Sequence, residues 1–148
     1  MPRGTAGAKE ATMINHHAAL IYTMVLVSAS DKDMSDEEMH IIGDIVNHLP
    51  VFSDFDHERF TKTLKECAML LSGEHGLEAA LVAIKEGLPA RLRETAYALA
   101  CDIAEADGQE TREELRVLQL LRERLSVDRL VAAGIERGAR ARFSRPER

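Results

Sequence analysis

Two stretches of the chain repeat one another at an offset of 76 residues, and this repeat constrains the fold more than any other feature. Asp31-Lys32-Asp33-Met34-Ser35-Asp36-Glu37-Glu38 is echoed by Asp107-Gly108-Gln109-Glu110-Thr111-Arg112-Glu113-Glu114. Asp31 aligns with Asp107, Ser35 with Thr111, and Glu37-Glu38 with Glu113-Glu114. The apolar positions beyond them also align: Met39, Ile42, Ile45 and Leu49 with Leu115, Leu118, Leu121 and Leu125. In both copies a long apolar helical run precedes the acidic turn and a second helix follows it. Two helix–turn–helix units of this kind predict a pseudo-twofold bundle.

Helical spacing fills the rest of the chain. Ile14, Ala18, Ile21, Tyr22, Val25, Leu26 and Ala29 step by three and four, which predicts one amphipathic helix. A second opens at Ser35 and stops at Pro50. Asp54 or Asp56 caps a third, through Phe60, Leu64, Cys67 and Leu71. Leu77 to Leu88 give a fourth, Leu92 to Ala106 a fifth, and Thr111 opens a sixth. Ser126 is the expected cap of a seventh, which runs to about Arg140. No segment alternates at period two. The expected fold is all-α: a single compact bundle of about seven helices over residues 12–140. A disordered tail at 1–11 precedes it and a basic tail at 141–148 follows.

Hydrophobic residues make up 45% of the 148, enough to bury a core. The net charge is −6, while Arg137, Arg140, Arg142, Arg145 and Arg148 crowd the C-terminal end. The rest of the chain is therefore more acidic than the total implies, which argues against nucleic acid as a partner. The Arg-rich end suits an acidic partner or a weak contact with an anionic membrane surface. No apolar run is long enough to span a bilayer, and Met1 to Ala11 carry no export signal, so a cytoplasmic location is expected. Cys67 and Cys101 sit in apolar patterns without metal-ligand spacing and read as small buried hydrophobes.

The acidic turns admit two readings. Ser35-x-x-Glu38 and Thr111-x-x-Glu114 are capping boxes, in which hydroxyl and carboxylate exchange bonds with the backbone at a helix start. Asp36, Glu37 and Glu113 add negative charge where the helix dipole is positive. Gly108 frees its turn to adopt a left-handed conformation. Capping does not explain Asp31, Asp33 and Asp107, which precede the caps. They do not form an EF-hand, because the glycine position of that loop is Asp36 and its chelating glutamate position is Ile42. A looser oxygen-rich site remains, and Asp102 on the fifth helix adds to it, either there or as the partner of an arginine. Among the histidines, His17 stands out, because one turn could bring it beside another ligand. His40 and Asp44, four residues apart, suit a surface contact. No HExxH, P-loop, nucleophile elbow or Rossmann pattern occurs, so no enzyme is expected.

The stretches ALIYTMVLVSASDKDMSDEEMHIIGDIV and AYALACDIAEADGQETREELRVLQLLRERL resemble the tellurite-resistance TerB and TerB-like family over roughly residues 14–140. The resemblance implies an all-helical domain of about seven helices, a role in tellurite or chemical stress, and acidic residues that bind metal ions. Asp31, Glu38, Asp107 and Glu114 match the family's acidic motif; Asp33 and Asp102 join them from spacing. At the first turn Lys32 stands where the family has Gly, and its ammonium would compete with a cation. The expectation is a non-enzymatic module that binds a divalent cation and signals to an unknown protein partner. Oxygen ligands favour Ca²⁺ or Mg²⁺ over zinc. The alternative is an interaction scaffold whose acidic turns only cap helices. The ion reading requires the two corners to lie close together in space.

Overall fold

The structure is a computed structural model that describes residues 13–30, 34–108 and 110–147. These residues form seven α-helices and three short 3-10 turns, with no strand among them. The helices are α1 (His16–Ser28), α2 (Asp36–His48), α3 (Phe60–Leu71), α4 (Gly76–Gly87), α5 (Arg93–Ala106), α6 (Arg112–Arg124) and α7 (Arg129–Arg142). The all-α expectation holds. The repeat is built into the element boundaries, since α2 and α6 begin and end 76 positions apart.

The core is organised around α1. Every residue from Ala19 to Ser28 is buried, with Leu20, Ile21, Met24 and Val27 fully so. The amphipathic reading of this helix is thus incorrect. The positions between the chosen apolar steps are apolar as well, and a helix that is hydrophobic all round belongs inside. α3, α4 and α5 pack against it, and α5 carries α6 and α7 on its other sides. Each fully buried aliphatic side chain contributes about 1.5–3 kcal/mol. Of the buried polar groups on α1, Thr23 is satisfied locally, its Oγ1 donating to Ala19 O at 2.8 Å. Among the described residues no helix is long and apolar enough to cross a membrane.

Two helix starts differ from expectation. Asp56 caps a 3-10 turn (His57–Arg59) rather than α3 itself, which follows directly at Phe60. α7 is capped by Asp128, whose carboxylate accepts from Leu130 N and Val131 N. Ser126 cannot act as that cap, because it takes a left-handed conformation (φ 56°) that turns the chain out of α6. α7 then continues to Arg142, two residues past the expected end near Arg140.

Candidate functional site

Both predicted capping boxes are formed. Ser35 Oγ accepts from Glu38 N at 3.1 Å, and Glu38 Oε1 accepts from Ser35 N at 2.8 Å. Thr111 and Glu114 reproduce the exchange, at 3.1 Å in both directions. Gly108 has φ +80°, the left-handed turn expected of it. The corners differ in depth: Glu38 is half-buried, whereas Glu114 is 2% exposed.

The two corners meet. Glu38, Asp107 and Glu114 line one cavity together with Ser28, Ile41 and Ile103. Its volume is about 10 Å³, room for a single water or a bare ion and nothing larger. Glu38 and Glu114 are equivalent residues of the two repeats, so the duplication brings matching carboxylates to one point. Ser28, at the end of α1, is 3% exposed, and among the described residues nothing hydrogen-bonds to its Oγ. Serine and threonine hydroxyls in helices commonly bond back to a preceding carbonyl, as Thr23 does. Ser28 forgoes that bond and lines the cavity instead.

Comparison with known protein families matches residues 17–135 to the tellurite resistance protein TerB. The chain belongs to the TerB family. Comparisons with curated proteins and with solved structures return no match.

The expected acidic set of this TerB chain has three further members. Asp31 and Asp33 lie outside the described residues. Asp102 is absent from the cavity lining; its Oδ1 accepts from Arg142 Nη2, an ion pair that ties α5 to α7. Ser28 is the residue that sequence reasoning missed. Its only local signal is a hydroxyl closing an otherwise apolar helix.

A second cavity of about 210 Å³ lies between α5, α6 and α7. It is lined by charges of both signs, Glu105, Glu110, Glu136, Arg122 and Arg140 among them. There Tyr97 donates to Glu136 Oε2 at 2.6 Å, and Arg122 stands 3.7 Å from the same oxygen. Burial and then the neighbouring Glu110 push the Glu105 carboxyl up from its ordinary value. Burial likewise pushes both thiols up to about 12, which keeps Cys67 and Cys101 protonated near neutral pH. His40 and Asp44 make the expected exposed contact, at 3.7 Å.

Proposed function

We propose that this TerB chain is a non-enzymatic, ion-responsive module of tellurite or chemical-stress response, which binds one divalent cation at the meeting point of its two corners. The observation that carries this reading is the shared cavity, where two repeat-related glutamates, Asp107 and a buried Ser28 hydroxyl converge. A carboxylate has two oxygens and about four acceptor directions, so closing a cap does not prevent it from meeting an ion. Ligands that are all oxygen favour Ca²⁺ or Mg²⁺. Loading the cavity would neutralise charge at the surface around Asp107 and so alter what that surface offers a protein partner. Neither thiol is poised as a nucleophile, which supports a non-enzymatic role.

Calorimetry on metal-stripped protein tests the reading. Ca²⁺ or Mg²⁺ is expected to give saturable heat that Glu38→Gln and Asp107→Asn each weaken. Absence of heat with both ions at millimolar concentration would remove the cation. A second reading, a scaffold whose acidic corners serve only as caps, rests on the two complete capping boxes. It predicts that Asp107→Asn changes neither stability nor any response to ions.

A further inference from the structure

The opposite end of α1 holds a cluster of a different chemical kind. His17 is 7% exposed, and its ring packs against two phenylalanines that also touch one another. Phe52 stacks on it at 5.6 Å between centroids, and Phe55 meets it edge-on at 5.2 Å. This packing aims Nε2 at two oxygens, Val51 O at 3.1 Å and Asp54 Oδ1 at 3.2 Å. The ring of His16 lies 4.1 Å from that of His17. One ligand atom from each of His16, His17 and Asp54 can be chosen so that all lie within 4.8 Å of one another.

We infer that His16, His17 and Asp54 form a binding site for a borderline divalent transition metal, of which Zn²⁺ is the representative. Two ligands held about 2.0–2.1 Å from a tetrahedral ion stand about 3.3 Å apart, close to the observed separation of His17 Nε2 and Asp54 Oδ1. A neutral imidazole has one N–H, so Nε2 can donate a straight bond to only one of the two oxygens facing it. A cation on the Nε2 lone pair, with the ring proton on Nδ1, would satisfy the carboxylate and replace the hydrogen bond to Val51 O. His16 is half-buried, and one of its ring nitrogens lies within 4.8 Å of the other two ligand atoms. Two imidazoles and one carboxylate select zinc and its neighbours over Ca²⁺ or Mg²⁺. Three protein ligands also leave a fourth position for water or an exchangeable group.

Arg91 would repel a bound cation, and the Asp54 carboxylate offsets it. The site lies about 16 Å along α1 from Ser28, at 1.5 Å per residue. It shares no residue with the corner cavity, and the inference does not rest on that cavity binding anything.

The test uses tag-free, metal-stripped full-length protein titrated with Zn²⁺ alone at neutral pH. It is read by calorimetry and by the ¹⁵N shifts of the imidazole nitrogens. Expected are saturable binding and shifts at His16 and His17. His16→Ala and Asp54→Asn should each weaken Zn²⁺ by about tenfold or more. Both substitutions fall outside the buried core, so they preserve the fold where His17→Ala could leave a hole beside Phe52 and Phe55. Glu38→Gln should leave Zn²⁺ affinity unchanged, and His16→Ala should leave any Ca²⁺ or Mg²⁺ response unchanged, which separates failure here from failure at the corner. Unaltered Zn²⁺ affinity in the His16→Ala/Asp54→Asn double variant would overturn the assignment. So would unmoved imidazole nitrogens at millimolar Zn²⁺.

Discussion

Replacing Ser28 by alanine separates the corner cavity from the caps that surround it. The side chain is 3% exposed and, among the described residues, its Oγ has no hydrogen-bond partner. A buried hydroxyl left in this state costs about 1–3 kcal/mol, and its removal recovers part of that cost. Alanine also improves helix propensity at the last position of α1 by about 0.5 kcal/mol or less. Only one oxygen is lost, so the packing of Ile41 and Ile103 hardly changes. Ser28→Ala is therefore expected to be about 1 kcal/mol more stable than the parent in chelator. For a domain of this size that raises Tm by about 2–4 °C. Adding Ca²⁺ or Mg²⁺ should reverse the order of benefit. A ligand at a hundredfold excess over Kd stabilises by about 2.7 kcal/mol, and the variant, lacking one donor, should gain measurably less. Urea unfolding of both proteins, with and without ion, gives the four stabilities. A loss of 1 kcal/mol or more in chelator would refute the reasoning, since it would mean that the hydroxyl has a partner. Equal gains with ion would remove Ser28 from the ligand set.

Three further outcomes follow from the geometry. Thr111→Ala should cost about 1–2 kcal/mol in urea melts and Ser35→Ala about 0.5–1, because only the Thr111 cap holds a fully buried glutamate. Native Cys67 and Cys101 should resist alkylation at neutral pH, with both thiols pushed up to about 12, and should label fully in denaturant. The Glu78 carboxyl, which accepts from both Arg124 amino groups, is held below its ordinary 4.5, chiefly by that hydrogen bonding. A depressed carboxylate stabilises the fold above its unfolded pKa and ceases to do so as pH falls through the folded one. Glu78→Gln should therefore lose a little stability at neutral pH, leave low pH unchanged, and so flatten the acid limb of a stability–pH profile below pH 4.5.

What could be read from the sequence was local. A capping box spans four residues, so both corners and the offset of α2 and α6 were visible as text. What escaped was long-range. Asp102 meets Arg142 forty positions away, and no local pattern announces such a partner. The amphipathic reading of α1 failed because periodicity identifies one apolar face and says nothing of the faces between, where Leu20, Met24 and Val27 are fully buried. Ser126 and Asp128 are both good caps by residue type. Only the backbone, left-handed at Ser126, decides between them. His16-His17 could be seen as a pair, but the oxygen that makes them a candidate site belongs to Asp54, placed by the 3-10 turn Pro50–Phe52.

The two corners are not equal partners, and the difference can be tested. Each capping box fixes its glutamate before any ion arrives, so ligand orientation is pre-organised and little ordering would remain to be done on binding. In the second repeat the turn carries Gly108, left-handed and without charge, and its glutamate is buried. In the first repeat Lys32 occupies the equivalent sequence position, and Glu38 is only half-buried. An ammonium at that sequence position would compete with a cation for the same carboxylates. A unit charge about 8 Å from a divalent cation repels it by about 1 kcal/mol in water, which sets the scale of the effect of removing it. Lys32→Gly should accordingly tighten Ca²⁺ or Mg²⁺ binding by up to about fivefold at low ionic strength. The gain should shrink in high salt, where screening falls to a few ångströms. Calorimetry at two salt concentrations reads both effects. Unchanged or weaker binding in Lys32→Gly would show that the lysine does not contest the cavity, and the first corner would then contribute through Glu38 alone.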